Sequence, residues 1–148
     1  MKKQDWIWMP HPGHLAVGSD CRFHLNTYVG DFIVSTVGEW WPERPVREIH
    51  AQVHDPKWLF ENGRLKGDNF DRAYMKRFGF EEIGYGRTYE TFVFKAESDE
   101  TACCPFKMSD PSEVDSNGYN DAGEAYKGHL VMCEKWANSI KEKHEKND

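Results

Sequence analysis

Four side chains in the second half of the chain have the types and spacing of a zinc site. His129 and Cys133 are four positions apart, so on a helix an imidazole nitrogen and a thiolate lie on one face, a single turn apart. Cys103 and Cys104 come directly before Pro105, and both thiols can reach one ion if the chain bends inward at the proline. The sequence therefore predicts a tetrahedral zinc ion held by Cys103, Cys104, His129 and Cys133.

Other interpretations of these residues stay open. Cysteine is among the most buried residue types, so His129 and Cys133 are equally well explained as core residues of a helix. Adjacent side chains of an extended chain point to opposite faces, so one cysteine of the 103–104 pair need not be a ligand. The fourth ligand is then one of three other candidates, His11, His14 or Cys21.

The turn His11-Pro12-Gly13-His14 places two histidines three positions apart. Histidine both takes and gives a proton near neutral pH, so His11 and His14 are a candidate acid and base for a phosphoesterase. Chance in a chain with seven histidines explains the same spacing. No GxSxG, Walker, GxGxxG or HExxH pattern accompanies them, so catalysis depends on this pair alone.

Aromatic and basic residues suggest a different kind of chemistry, the binding of a nucleotide. Six tryptophans and six tyrosines provide ring faces for a base, and Arg64 or Arg87 would meet the phosphates. The alternative is that the tryptophans belong to the core and its rim.

The elements that must position these residues begin with a β-hairpin over residues 21–41. Apolar and polar residues alternate on both sides of Gly30-Asp31, which is the strongest local signal for a two-residue hairpin loop. In the resulting register Val29 faces Phe32 and Thr27 faces Val34. One face of the hairpin is then core, and further strands and helices must cover it because an isolated hairpin is marginal in water.

A third strand and a long helix complete the predicted core. Residues 88–96 alternate as a strand that joins the hairpin. Asp121 and Glu124 resemble a capping box that opens a helix over about 122–143. The predicted inner face of this helix consists of Ala125, His129, Met132, Cys133, Trp136 and Ile140.

Shorter elements and loops are predicted between these parts. Helices are expected over about 46–54 and 69–77, and irregular segments over 55–69 and 109–120, which are rich in Gly, Asn, Asp and Ser. The predicted fold is one α+β domain over residues 1–148. It has an antiparallel sheet of three or more strands, two or three packing helices, a long C-terminal helix and a solvated tail over about 141–148.

Composition excludes several classes of function. The net charge is −6 and no basic run is interleaved with aromatic residues, which argues against a duplex-DNA binder. The apolar runs are only a few residues long, whereas a membrane span needs about 20. The N-terminus also lacks the apolar core of an export signal, so the four cysteines are expected to be cytosolic thiols or metal ligands.

Two parts of the chain resemble GNAT acetyltransferases. Residues 73–84, AYMKRFGFEEIG, followed by Tyr89 to Lys95, look like the C-terminal helix, turn and strand of that family. Residues 64–69, RLKGDN, are similar to its pyrophosphate loop, with Asn69 in place of a small residue. The resemblance implies an acetyltransferase with Arg64 and Gly67 at the cofactor.

Over its whole length the chain resembles a family of small uncharacterised proteins of bacteriophages and prophages. The resemblance is carried by WIWMPH at 6–11, STVGE at 35–39, YET at 89–91 and CCP at 103–105. It implies an accessory protein in the cytoplasm of an infected bacterium, acting in host takeover or counter-defence. The function expected from the sequence is the binding or sequestration of a host protein or a nucleotide signal; the alternative is a GNAT-like or histidine-dependent enzyme.

Overall fold

The computed structural model describes residues 6–14, 17–99, 104 and 106–147, with side chains up to residue 139. The chain forms two compact units. The sheet unit comprises Met1–Trp40 and Glu82–Asp148, and the helical unit comprises Trp41–Glu81. The single domain expected from the sequence stays a prediction.

The sheet unit contains a five-stranded antiparallel sheet in which the strands follow one another in chain order. The strands are β1 (Trp6–Trp8), β2 (Cys21–Val29), β3 (Phe32–Trp40), β4 (Tyr89–Ser98) and β5 (Phe106–Tyr119), with a short 3-10 helix at Gly18–Asp20. With the helices, this arrangement confirms the predicted α+β class and the antiparallel sheet built on a central hairpin.

The hairpin register is the predicted one. Val29 pairs with Phe32, and Thr27 pairs with Val34. Gly30 begins the two-residue loop with a φ of 60°, a conformation that a residue without a Cβ adopts at little cost. The local pattern therefore fixed which side chains share a face.

Both faces of the sheet are buried at its centre, whereas the sequence predicted one buried face. The face under the C-terminal helix, called the α4 face, carries Thr27, Val29, Val34, Thr36 and Val93, all fully buried. The opposite face, called the far face, carries Asn26, Ile33, Ser35, Val37 and Phe94, also buried. The central strands therefore carry apolar or small polar residues on both sides.

The C-terminal helix α4 runs over Ala122–Asn147, four residues further than predicted, and so includes most of the expected tail. Asp121 accepts a hydrogen bond from the Glu124 backbone N–H at 3.0 Å, which satisfies one free donor of the first turn. Ala125, His129 and Cys133 are fully buried, as predicted for the inner face. No helix in the described part of the chain is long and apolar enough to cross a membrane.

Strand β5 corrects the prediction of an irregular segment over 109–120. It pairs with β4 along its length, with register shifts between Val93 and Phe94 and between Phe94 and Ala96. As an edge strand it is largely exposed, so it needs no apolar alternation and its Ser, Asp and Asn content resembles that of a loop.

The helical unit consists of α1 (Arg44–His54), α2 (Pro56–Asn62) and α3 (Asp68–Phe78). Ala51, Phe70 and Tyr74 form its buried core. Helices α1 and α3 agree with the prediction, whereas α2 lies in a segment predicted to be a loop. An N-terminal cap explains the difference. Asp55, the residue before Pro56, accepts a hydrogen bond from the Trp58 backbone N–H at 3.1 Å, and Pro56 is suited to the first position of a helix.

Candidate functional site

A tight turn before β4 presents Tyr85 and Arg87. The Arg87 backbone N–H donates to the Gly84 carbonyl, and the Ile83 N–H donates to the Arg87 carbonyl, both at 2.9 Å. Tyr85 and Gly86 have φ values of 51° and 71°, the left-handed pair of a two-residue hairpin turn. The Tyr85 ring is fully exposed at the tip, although this backbone conformation is unfavourable for a residue with a bulky side chain.

A pocket of about 200 Å³ lies beside this turn on the far face of the sheet. Phe92 pairs with Ser116, and Glu90 pairs with Gly118, so two neighbouring strands form its floor. The lining residues are Gly84, Tyr85, Arg87, Glu90, Phe92, Ser116, Asn117 and Gly118. The turn and the β4–β5 ladder thus bring aromatic, basic and acidic side chains to one depression.

The Arg87 side chain lies across Gly118. A Cβ at Gly118 would stand only 2.8 Å from Arg87 Cγ, so the absence of a side chain there makes room for the arginine stem. The guanidinium is exposed and has neither a hydrogen-bond nor an ion-pair partner among the described residues. Its planar N–H donors are therefore free to pair with an anion.

The Glu90 carboxylate forms the acidic part of the pocket. Oε2 lies 3.5 Å from the position of a Cβ on Gly84. Burial, and secondarily the nearby charge of Glu113, raise the pKa of Glu90 above its usual value. No side chain or backbone group in the described residues donates a hydrogen bond to it. A half-buried carboxylate without donors has lost water without gaining partners, so it favours a ligand that donates.

The two histidines predicted as an acid–base pair lie in different environments. His11 is exposed, whereas His14 is buried, with Nδ1 2.8 Å from Ser35 Oγ and its ring 4.7 Å from the Phe92 ring. Burial lowers the pKa of His14 to about 4. The Gly13 N–H donates to Asn26 Oδ1 at 2.7 Å and folds the turn onto β2. The phosphoesterase stays a prediction, with no support from this geometry.

Arg64 and Gly67, the other predicted cofactor residues, belong to the helical unit, whereas Arg87 belongs to the sheet unit. Gly67 has a φ of 55° and directly precedes α3. Asp68 and Asp71 occupy the first turn of that helix. Their negative charge opposes a pyrophosphate at this N-terminus, because the helix dipole is already complemented there. The transferase also stays a prediction.

The predicted zinc ligands divide between the two faces of the sheet. Cys104 packs with Met9 and Ile33 on the far face, and Cys133 packs with Val34 on the α4 face. The sheet therefore separates Cys104 from His129 and Cys133, and Cys103 lies outside the described residues. Within the described residues no three His, Cys, Asp or Glu side chains are grouped to hold a metal ion.

His129 and Cys133 instead take part in a buried polar chain. His129 Nε2 is 2.8 Å from Thr27 Oγ1, and Nδ1 is 2.7 Å from Thr36 Oγ1. Burial lowers the pKa of His129 to about 4 and raises the pKa of the Cys133 thiol to about 12. Both ring nitrogens are occupied, and the thiol resists the deprotonation that zinc requires. Cys104 does not lie with His129 and Cys133, and elemental analysis of protein purified without chelators tests the zinc prediction.

Among the residues that line the pocket, Arg87 was predicted to bind a ligand, whereas the residues around it were not. Glu90 and Phe92 were predicted only as strand residues, and Ser116 and Gly118 lay in a segment predicted to be irregular. The sequence Gly84-Tyr85-Gly86-Arg87 was the available local signal, because two glycines around an aromatic residue indicate a tight turn.

Comparison of the chain with protein-family models, with curated proteins and with solved structures found no match.

Proposed function

We propose that the protein is a binding protein that takes up a small, anionic, nucleotide-like molecule in the pocket beside Arg87, without chemical turnover. One observation carries the proposal: the pocket combines the Arg87 guanidinium with the half-buried Glu90 carboxylate, and neither group has a hydrogen-bond or ion-pair partner among the described residues. Structural ion pairs would neutralise each other, whereas these two groups remain available to a ligand.

The side chains of the pocket match the parts of a nucleotide. The guanidinium fork of Arg87 suits a phosphate, which it can bind through two parallel hydrogen bonds. Tyr85 and Phe92 supply ring faces on which a base can stack. A volume of about 200 Å³ is below the roughly 300 Å³ at which pockets for drug-sized ligands begin, so a nucleotide that contacts both Arg87 and Glu90 would leave part of its surface in solvent.

The pocket lining supports binding rather than turnover. Among its eight residues, Ser116 is the one hydroxyl nucleophile of aliphatic type, and no histidine or cysteine accompanies it. Acyl or phosphoryl transfer through Ser116 would need a base within hydrogen-bond reach, and Glu90, the carboxylate of the lining, forms no hydrogen bond to Ser116. His14 is bonded to Ser35 instead, and Phe92 lies against its ring.

The resemblance to bacteriophage proteins supplies the biological setting of the proposal. In the cytoplasm of an infected bacterium, a protein with this pocket would act by sequestering a nucleotide signal of the host. Sequestration needs affinity and abundance, and it does not need an acid–base pair, which agrees with the composition of the pocket.

Thermal unfolding with added ligands tests the proposal. A ligand that binds the folded state raises Tm as its concentration exceeds Kd. We expect nucleoside monophosphates to raise Tm saturably, and Arg87→Ala to abolish the shift. Arg64→Ala is the matched control, because Arg64 is also an exposed arginine without a partner among the described residues. A shift with acetyl-CoA that requires Arg64 would instead support the transferase, and the absence of any nucleotide shift would refute the proposal.

Binding of a host protein is a second candidate, favoured by the outer side of α1. Val46, Ile49 and Val53 are 49%, 66% and 72% exposed. Positions i, i+3 and i+7 form one stripe on a helix, and an exposed apolar stripe is typical of a surface that binds a partner. The buried side of the same helix carries Arg47 and Ala51.

A paired capture experiment tests this second function. We expect one host protein to be retained in stoichiometric amount by the unchanged chain and lost with Ile49→Lys. Tyr126→Lys, a change of a half-exposed aromatic residue on α4, is the control that should retain the partner. Equal retention by both variants would refute α1 as the binding surface.

A further inference from the structure

We infer that the pocket selects a guanine-type base, which Glu90 recognises through two adjacent N–H donors while Arg87 pairs with the phosphate. This inference rests on the proposed function and names the ligand class of the same pocket. It is carried by the placement of Glu90, the conformation of Tyr85 and the separation of the two charges.

Glu90 and Arg87 lie on the same pocket but do not neutralise each other. Glu113 is the charged residue that acts on Glu90, and it has the same sign. Arg87 leans on Gly118, whereas the Glu90 carboxylate lies beside Gly84. A ligand that satisfies both must carry an anion at one end and N–H donors at the other.

A carboxylate distinguishes purine bases by their donors. Guanine presents its ring N–H and its exocyclic amino group side by side, so both can donate to the two oxygens of one carboxylate. Adenine presents one amino donor next to a ring nitrogen that accepts, and two acceptors facing each other are unfavourable. Hypoxanthine keeps the ring N–H but lacks the amino group, so it should bind with intermediate strength.

Tyr85 is the feature that favours a flat ring between the charged groups. Its backbone is in the left-handed region, which is disfavoured for a bulky residue, and its fully exposed ring leaves the cost unrepaid by packing. Gly or Asn would form the same turn with less strain. The presence of an aromatic side chain at this position is explained if the ring stacks on a bound base.

Titration calorimetry with GMP, IMP and AMP tests the inference. We expect GMP to bind at least about tenfold more tightly than AMP, with IMP between them, which corresponds to one charge-assisted hydrogen bond. Glu90→Gln should reduce the GMP preference to within about twofold, because an amide no longer offers two acceptors. Glu82→Gln, which removes an exposed acid near the same turn, should leave the preference unchanged.

The outcomes separate the inference from the proposed function. Equal affinity of the unchanged protein for the three nucleotides, lost with Arg87→Ala, would overturn the base selection and leave nucleotide binding intact. No binding of any nucleotide would overturn both. If Glu90→Gln does not fold, as shown by circular dichroism, the order GMP, IMP, AMP in the unchanged protein decides. A free amino acid also carries an anionic group and N–H donors. Its binding in preference to GMP would therefore also overturn the inference.

Discussion

Among the described residues, each face of the sheet buries one histidine. The two histidines differ in how many of their ring nitrogens have a hydrogen-bond partner. On the α4 face, His129 has a hydroxyl partner on both ring nitrogens. Thr36 continues the chain to Thr91 Oγ1 at 2.6 Å, and Thr91 to the Tyr119 hydroxyl at 3.3 Å. A neutral imidazole has one donor and one acceptor, so this environment satisfies it fully.

On the far face, the polar groups are satisfied only in part. His14 is bonded through Nδ1 to Ser35, and its buried Nε2 has no partner among the described residues. Asn26 accepts from the Gly13 N–H, but its buried Nδ2 also has no partner in that part of the chain. A buried polar group that lacks a hydrogen bond reduces stability by about 1–3 kcal/mol.

The difference indicates which face is structural and which one has spare capacity for recognition. The α4 face is closed, because its hydroxyls and imidazole satisfy one another beneath the helix. The far face carries unsatisfied groups and also the pocket, and Phe92 belongs to both environments because it lines the pocket and contacts His14. A hydrogen-bond network in which every group has a partner helps to specify one structure. A buried polar group without a partner instead marks a place where a functional role or a ligand should be sought.

The largest expected effect comes from placing a charge on either face. Val34→Asp and Ile33→Asp each bury a carboxylate without a partner, because Val34 and Ile33 are buried on opposite sides of β3. The penalty is comparable to the whole free energy of unfolding of a domain, roughly 5–15 kcal/mol, so both variants should be unfolded or insoluble. Val131→Asp, at an exposed site on α4, should remain folded by circular dichroism. A soluble, folded Ile33→Asp would show that the far face is not core.

Acid should destabilise the protein through both histidines. Burial lowers the pKa of His14 and of His129 from 6.5 to about 4, so between these values the unfolded chain binds protons that the folded chain does not. The free energy of unfolding therefore falls as pH decreases from about 6.5 to about 4, by about 3 kcal/mol for each histidine. Urea unfolding at a series of pH values measures this.

Single replacements show which histidine is responsible for the acid effect. His14→Leu and His129→Leu should each remove about half of the pH dependence between these limits. His11→Gln, at an exposed position, should leave it unchanged. A fall in the unfolding free energy between pH 6.5 and pH 4 that is as large in the double variant His14→Leu/His129→Leu as in the unchanged protein would contradict the assignment.

At neutral pH the same replacements should differ in stability. His129→Leu leaves the Thr27 and Thr36 hydroxyls with one partner fewer, so it should reduce the unfolding free energy by about 2–4 kcal/mol. His14→Leu breaks one bond, to Ser35, and removes an unsatisfied nitrogen, so about 1 kcal/mol is expected. Equal losses in urea unfolding would contradict the distinction between the faces.

The sequence predicted the parts of this arrangement that depend on local patterns. The hairpin register followed from alternation around Gly30-Asp31, and the inner face of α4 followed from helical spacing. The partners of His129 could not be predicted, because Thr27 is 102 positions away and no sequence pattern distinguishes a buried threonine from an exposed one. The pocket was missed for a similar reason, since it depends on the pairing of β4 with an edge strand whose composition resembles a loop.

The smallest expected effect on stability concerns Tyr85, and its sign separates function from folding. Tyr85→Gly removes the cost of a bulky residue in the left-handed region, so the unfolding free energy should rise by up to about 1 kcal/mol, less the entropy that a glycine adds to the unfolded chain. Gly86→Ala, at the neighbouring left-handed position with a φ of 71°, should lower it by a similar amount. If the Tyr85 ring stacks on the ligand, Tyr85→Gly should weaken nucleotide binding while it stabilises the free protein, as measured by urea unfolding and calorimetry on the same preparation. A variant that is less stable and binds equally well would show that the ring packs within the fold and has no part in recognition.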